Sequence, residues 1–167
     1  TNSTVSANTT AGFSIVKYTG TGSSATVGHG LGAVPQVLII KDLDSSTDWQ
    51  VYHVNEGAND KLRLNTSDYS ANTNSFGGTT PTSSVFTVNP GGGETNNSGN
   101  NNIAYCFAEK KGYSKFGFYT GNADANGPFV YTGFKPAFVM IKKTTATDNW
   151  VINDNKRAGY NFDNNEL

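Results

Sequence analysis

The chain lacks most of the sequence features that would point directly to one kind of function. Its 167 residues include one cysteine, Cys106, so no disulfide bond can form within the chain. The net charge is -1, and nucleic acid is not an expected partner because proteins that bind it normally carry a basic stripe. The apolar runs are far shorter than the about 20 residues that cross a bilayer, so no membrane insertion is expected either.

Residues that favour helices are also scarce. Leu and Glu are few, whereas Asn, Ser, Thr and Gly are abundant, with 19 glycines. Short segments rich in β-branched and aromatic residues alternate with polar, glycine-rich stretches, as they do in all-β proteins. The sequence therefore predicts an all-β fold, an antiparallel β-sandwich of jelly-roll or concanavalin-like type.

An internal repeat organises the sequence. Its longest matching phrase begins at Pro35 and returns at Pro136, an offset of 101 residues. The other phrases recur in the same order, and the offset changes by only one residue among them. The paired phrases are GFS at 12–14 and GYS at 112–114, YTG at 18–20 and 119–121, PQVLIIK at 35–41 and PAFVMIK at 136–142, and DW at 48–49 and NW at 149–150. The repeat predicts that the fold is built from two related units.

The repeat also predicts the domain organisation. Residues 1–11 have no sustained hydrophobic period and are predicted to be a linker or the end of a preceding unit. Residues 12–109 are predicted to form a first β-sandwich unit. Residues 112–167 then start a second, homologous unit that lacks counterparts of the strands at 85–88 and 103–108. Because such a sheet would have open edges, we expect continuing chain or a neighbouring chain to cover them.

Three carboxylates are weak candidates for a metal site. Asp42, Asp44 and Asp48 lie close together in sequence, and calcium prefers clustered oxygen ligands. The spacing fails the EF-hand pattern, because Ser46 stands at a ligand position and Thr47 stands where the sharp turn needs glycine. The pattern favours a plain Asp/Ser turn, and no metal or cofactor is expected.

The usual catalytic residue types show no pattern typical of an enzyme. His29 and His53 are the only histidines, and neither recurs in the second unit. Cys106 alternates with Ala104 and Ala108, which predicts a buried spacer rather than a nucleophile. No two acidic residues have a spacing that predicts a glycosidase pair. The chain is therefore expected not to be an enzyme.

Four aromatic residues are weak candidates for ligand binding, because exposed rings can stack on sugars. Trp49 and Trp150 stand at equivalent positions after an apolar strand, and their alternation with β-branched residues favours places in the core. For Tyr52 and Tyr160 the sequence pattern favours a place in the core less strongly. The alternative, that Trp49 and Trp150 are partly exposed platforms for stacking, stays open.

Several phrases of the sequence resemble those of a known family. In order they are GFSIVKYTGTGSSATVGHGLG, PQVLIIK, DWQVYH, PTSSVFTV, IAYCFAEKKGYSKFGFYTGN and GPFVYTGFKPAFVMIKK. They resemble a repeated β-rich domain of uncharacterised function in large structural proteins of tailed, especially marine, bacteriophages. The resemblance begins at Gly12 and is most specific over residues 103–121. It implies a tail-fibre or virion-surface protein with further strands completing the second unit, and it implies no catalytic residue.

The expected function follows mainly from this resemblance. We expect a non-catalytic structural module of a phage virion, a tail fibre or surface appendage with a part in host attachment. Its expected partners are other copies of itself, in an oligomer, or other virion proteins. The polar loops at 66–84 and 89–102 are candidates for carbohydrate binding to a host surface glycan. Two alternatives stay open, which are a capsid-surface or assembly protein and a glycan-binding module of a secreted bacterial adhesin.

Overall fold

The computed structural model describes residues 1–70, 73–90, 94–156 and 165–166. These residues form strands and turns and contain no helix, and hence none that could cross a membrane. Every strand pairing is antiparallel, which confirms the predicted all-β, sandwich-like fold. The strands are β1 (Ser3–Asn8), β2 (Phe13–Thr19), β3 (Ala25–Gly28), β4 (Val37–Asp42), β5 (Gln50–His53), β6 (Lys61–Arg63), β7 (Tyr69–Ser70), β8 (Val85–Val88), β9 (Asn101–Phe107), β10 (Phe138–Lys142), β11 (Trp150–Asp154) and β12 (Asn165–Glu166).

The described residues form three sheets, and the largest has seven strands in the order β1-β2-β9-β4-β5-β6-β7. Strand β9 comes late in the chain but lies in the middle, between β2 and β4. Phe107 of β9 is opposite Phe13 on one side and Val37 on the other. The alternation of β9 sends Ala104 and Cys106 inward, where both are fully buried. The late strand therefore joins the two earlier ones into a single sheet.

The main core lies between the inner face of this sheet and the small β3-β8 sheet. Rings from both layers meet there, as Tyr18 and Phe86 do in an edge-to-face contact with centroids 6.2 Å apart. Each such buried side chain contributes about 1.5 to 3 kcal/mol through its removal from water. The buried apolar residues of this core are Val16, Tyr18, Val27, Leu31, Leu38, Ile40, Tyr52, Ala58, Phe76, Phe86, Val88, Ala104, Cys106 and Ala108.

One histidine is part of this core. His29 follows β3, is fully buried, and stacks on Phe86 with centroids 6.5 Å apart. Its Nε2 contacts the carbonyl oxygen of Thr82 at 3.2 Å, and its Nδ1 accepts a hydrogen bond from the backbone N–H of Leu31 at 3.2 Å. Both ring nitrogens are therefore satisfied only in the neutral form that carries its proton on Nε2. Burial holds the pKa of His29 below its ordinary value of 6.5, although the hydrogen bond with Thr82 opposes part of this effect.

This environment predicts a pH dependence of stability. The unfolded chain takes up a proton at His29 near pH 6.5, whereas the folded chain does so only at lower pH. The free energy of unfolding should therefore fall as the pH drops below about 6.5. A His29→Asn variant should be less stable at pH 7.5 but should lose less on going to pH 5.5, as measured by urea unfolding at both values. The matched His53→Asn variant should keep the contribution that His29 makes to the pH dependence of stability. Equal pH dependence in the wild type and in His29→Asn would contradict the prediction.

The first eleven residues are not the predicted linker. Strand β1 pairs along its whole length with β2, from Ser3 opposite Tyr18 to Asn8 opposite Phe13, and the Ser3 hydroxyl also donates to the carbonyl of Gly28 at 3.1 Å. The segment shows no hydrophobic period because it is an edge strand that is held largely through its backbone, and most of its side chains are exposed. It belongs to the same sheet as the residues that follow it.

The repeat reappears in local geometry. Val37 is opposite His53 in the β4-β5 hairpin, and Phe138 is opposite Asp154 in the β10-β11 hairpin, so both hairpins have the same register at the offset of the repeat. Repeated glycines also share left-handed φ angles, which are 70° at Gly12 and 77° at Gly112, and 66° at Gly32 and 82° at Gly133. The wider interpretation, that residues 112–167 begin a second homologous unit, stays a prediction.

Candidate functional site

Five half-buried rings cross the outer face of the seven-stranded sheet. They are neighbours because Phe13 and Phe107 are cross-strand partners on β2 and β9, with centroids 5.0 Å apart. Tyr105, two residues before Phe107, stacks between Phe13 at 6.4 Å and Trp49 at 6.3 Å. Phe116 contacts Phe107 at 6.3 Å and ends the series. We call these five residues the aromatic row.

The aromatic row can bind by stacking. Each ring is partly open to solvent, and the neighbouring Ile15 is 37% exposed. Aromatic faces carry negative electrostatic potential and attract the polarised C–H groups of a flat, partly apolar ligand. The row can therefore stack on the apolar face of a sugar ring, or pack against another protein.

A shallow cleft of about 270 Å³ lies at the Phe116 end of the aromatic row. Phe13, Phe107 and Phe116 form its apolar wall, and the exposed ring of Tyr113 lies at its rim. Gly12 also lines the cleft, and a Cβ at this position would clash with the carbonyl oxygen of Ala108. The cleft is smaller than most pockets for drug-sized ligands, which start at about 300 Å³. It could hold the end of a side chain or part of one sugar ring.

The two tryptophans have different surroundings despite their equivalent positions in the repeat. Trp49 belongs to the aromatic row and is half-buried. Trp150 is 7% exposed and packs with Val51 and Leu62, so it anchors the β10-β11 hairpin on the outer face of the large sheet. Its Nε1 donates a hydrogen bond to the carbonyl of Arg63 at 2.7 Å. Trp150 is therefore a packing residue, whereas Trp49 is available for stacking.

Tyr52, predicted as a weak candidate for ligand binding because its pattern favoured the core less, is buried, so this prediction is wrong. Tyr52 is 1% exposed, and its ring meets Phe76 in an edge-to-face contact at 5.5 Å. The alternation of β5 places Trp49 and Val51 on the outer face, which sends Tyr52 into the core. No ligand could reach this ring without opening the core. Tyr160, the fourth aromatic candidate, lies outside the described residues.

Asp42, the first of the three carboxylates, is occupied by the protein itself. It is fully buried and accepts hydrogen bonds from Nδ2 of Asn97 at 3.0 Å and Nδ2 of Asn100 at 2.8 Å. The backbone N–H of Asp44 donates to it as well, at 3.0 Å. Burial by itself would raise the pKa of Asp42, but these hydrogen bonds outweigh burial and hold the pKa below the ordinary value. Through these hydrogen bonds, Asp42 holds the polar loop before β9 against the end of β4.

The other two carboxylates have separate partners. Asp44 accepts hydrogen bonds from the backbone N–H of Asn101 at 2.6 Å and from the side chain of the same residue at 2.9 Å. Asp48 pairs with Nε of Arg63 at 3.1 Å and with Nδ2 of Asn65 at 2.8 Å. Among the described residues, no group of three or more acidic, histidine or cysteine side chains could hold a metal ion.

Cys106 is buried, as its alternation with alanines predicts. Its side chain is fully enclosed in the main core, and burial raises the pKa of the thiol to about 12, although a hydrogen bond with Ser14 opposes the shift. A thiol that stays protonated and shielded from solvent is a poor nucleophile.

A second apolar surface lies in residues 113–139. Between Phe116 and Phe138 the chain forms no strand, although all of these residues are described. Phe129 is 90% exposed, and the side chains of its neighbours along the chain are exposed as well. We call this part the exposed segment. Its exposed large apolar residues are Tyr113, Phe118, Tyr119, Phe129, Val130, Tyr131, Phe138 and Val139.

Sequence reasoning missed most of the aromatic row. Among its five members it singled out only Trp49 as a candidate. The alternation of Tyr105 and Phe107 with small residues was visible, and it placed both rings on one face of β9. Phe13 carried no comparable signal, because its neighbour Phe107 comes from a distant part of the chain. Phe116 carried none because it lies outside the strands, where no alternation marks a face.

A comparison with known protein families finds a match. A family model described as Domain of unknown function (DUF7483) matches residues 1–167. The chain belongs to this family. No curated protein and no solved structure matches it. The matched range includes β1, the aromatic row and the exposed segment.

Proposed function

We propose that the chain is a non-catalytic structural module of a phage virion, in a tail fibre or surface appendage, and that it works by binding other protein chains. The observation that supports this function is the exposed segment. Many large apolar side chains are exposed along this segment, and large exposed apolar patches mark sites of association. The phage context rests on the sequence resemblance, and association rests on the surface.

The repeat sharpens the argument for a partner. Tyr18 of β2 is 2% exposed in the main core, whereas its counterpart Tyr119 in the exposed segment is 46% exposed. The same residue type at the same place in the repeat is therefore buried in the first copy and exposed in the second. A partner that covers Tyr119 would restore the burial that the first copy already has at Tyr18.

Association in solution tests this function. The mass of the 167-residue chain, measured by light scattering over a range of concentrations, should rise above that of a monomer. A Phe129→Ser, Tyr131→Ser double variant should shift the chain toward monomer, because it removes two of the most exposed rings. Leu43→Ser is the matched control, since Leu43 is also exposed but lies outside the exposed segment. A chain that stays monomeric at every concentration would contradict the proposal of self-association.

The virion context has its own test. Peptides of this chain should be found by mass spectrometry in purified phage particles, and labelling on intact particles should place it at the surface. Absence from the particles would overturn the phage assignment. A position on the capsid rather than the tail would favour the alternative of a capsid-surface or assembly protein.

The aromatic row supports glycan binding as a second candidate function, on a virion or in a secreted bacterial adhesin. Titration of glycans identified on a mixed-glycan array should quench the fluorescence of Trp49, because a stacked sugar changes the surroundings of the indole. Trp49→Ala should weaken binding by about tenfold or more, since a stacking contact contributes about 1 to 1.5 kcal/mol. Phe118→Ala, on the exposed segment, should leave binding unchanged. Equal binding by both variants would exclude the aromatic row as the site.

A further inference from the structure

Two polar side chains lie on the inner face of the large sheet, beside the main core. Gln50 of β5 is fully buried, and Lys61 of the neighbouring strand β6 is 2% exposed. Gln50 is opposite Arg63, so Lys61, two residues away from Arg63 on β6, lies on the same face as Gln50. A buried amide and a buried ammonium each cost free energy unless a partner compensates for the lost water. The position of these two residues therefore needs a chemical explanation.

One carboxylate contacts both side chains. Oε2 of Glu94 accepts a hydrogen bond from Nε2 of Gln50 and lies 3.7 Å from Nζ of Lys61. Glu94 belongs to the polar loop before β9, and its side chain is 25% exposed. Its backbone φ of 97° lies in the left-handed region, which residues other than glycine rarely adopt. The fold therefore accepts backbone strain in order to hold this carboxylate against the pair.

The surroundings give the amine and the amide complementary roles. Burial lowers the pKa of Lys61 from its ordinary value of 10.5, although the charge of Glu94 opposes part of this effect. The neutral amine, which is the nucleophilic form of lysine, is therefore easier to reach. Nε2 of Gln50 also donates to the carbonyl oxygen of Asp48 at 3.2 Å, and two acceptors around one nitrogen fix the orientation of the amide. A nucleophile, an amide and a proton carrier thus meet at one point.

We propose that Lys61 and Gln50 become joined by an isopeptide bond, with Glu94 as the residue that transfers the proton. Nζ of Lys61, in its neutral form, bonds to Cδ of Gln50, and the bond between Cδ and Nε2 breaks. Glu94 accepts a proton from Nζ and donates one to Nε2, which leaves as ammonia. One amine and one primary amide become one secondary amide and ammonia, so the reaction balances without an oxidant, a metal or a nucleotide. It is a single self-modification of the chain, with no turnover of a substrate.

The product would remove the cost of burying a charge. The ammonium of Lys61 disappears, and a neutral amide costs much less free energy to bury than an ammonium. The bond would also join β5 covalently to β6. Val51 and Leu62, on the same two strands, pack against Trp150. The crosslink would therefore stiffen the part of the large sheet to which the β10-β11 hairpin is anchored.

The mass of the intact, purified chain tests the proposal directly. Electrospray mass spectrometry of the 167-residue chain should give a mass about 17 Da below the value calculated from the sequence, which is the loss of one ammonia. Proteolytic digestion should then release one branched peptide that contains both Gln50 and Lys61. Measurements repeated over several days after purification would include a slow reaction.

Three variants connect the loss of mass to these residues. Glu94→Gln should keep the full mass of its own sequence, because an amide cannot carry the proton. Lys61→Arg should do the same, because a guanidinium stays protonated and is not a nucleophile. Glu109→Gln is the matched control, since it makes the same change in an exposed ion pair with Lys115, and it should keep the loss of about 17 Da. Circular dichroism of each variant should show the β structure of the wild type.

Two results would overturn the proposal. One is a folded wild-type chain that keeps its full calculated mass, and this result does not depend on the folding of any variant. The other is a loss of the same size that persists in Lys61→Arg, which would come from another residue, such as an asparagine that cyclises. The site lies outside the exposed segment and the aromatic row, so neither result bears on association, on glycan binding or on the presence of the chain in virions.

Discussion

Replacing Trp150 with alanine should release the β10-β11 hairpin from the large sheet while leaving the main core folded. Trp150 is the largest side chain in the cluster with Val51 and Leu62, and its Nε1 hydrogen bond to Arg63 would be lost as well. Removal of a buried tryptophan costs about 3 to 5 kcal/mol. Amide hydrogen exchange should accelerate strongly in β10 and β11 but remain slow in β9, whose neighbours are unchanged.

The control is the equivalent substitution in the first copy of the repeat. Trp49→Ala removes a half-buried ring that stacks on Tyr105 at the surface. The free energy of unfolding should therefore fall by only about 0.5 to 1.5 kcal/mol beyond the loss from burial, and the hairpin should not be affected. Equal protection of β10 and β11 in the wild type and in Trp150→Ala would show that Trp150 does not anchor the hairpin.

Replacing Asp42 with alanine should lower the free energy of unfolding at pH 7 by about 3 kcal/mol or more. The change removes the hydrogen bonds that the side-chain amides of Asn97 and Asn100 and the N–H of Asp44 donate to the carboxylate, and a hydrogen bond to a charged group contributes about 1.5 to 3 kcal/mol. Urea unfolding monitored by circular dichroism measures the effect. Asp44→Ala, which removes an exposed carboxylate from the same turn, should cost less than about 1 kcal/mol.

The same substitution has a predictable pH dependence. Because the pKa of Asp42 in the folded chain lies below the ordinary value of 3.8, its ionised form stabilises the fold above that pH. This contribution is lost as the pH falls through the folded-state pKa. The difference in stability between wild type and Asp42→Ala should therefore shrink in acid. A difference that stays constant from pH 7 into the acid range would mean that the charge of Asp42 does not matter.

Local sequence patterns predicted much of the fold. The period of two in β9 placed Ala104 and Cys106 in the core, and the apolar run of β4 predicted a central strand. The edge strand β1 was missed because its side chains are mostly exposed and carry no period. Tyr52 was misplaced because the alternation was read with Trp49 in the core, and this leaves Tyr52 on the outer face.

The candidate surfaces were harder to predict for a different reason. The aromatic row joins Phe13 to Phe107 and Trp49 to Tyr105, residues that are far apart in sequence and meet only when β9 enters the sheet. A list of aromatic residues contains no information about which rings will be neighbours. The row became visible only with the strand order and the register.

The sequence by itself determined the strand type, the faces of the best-patterned strands and the register shared by the two repeated hairpins. These are local properties, set by side-chain alternation and by the residues of the turns. Only the tertiary structure decided which faces are covered. Trp49 and Trp150 stand at the same place in the repeat, yet the first stacks at the surface and the second anchors a hairpin. The reason is that burial depends on strand order, and here a strand late in the chain separates two early ones.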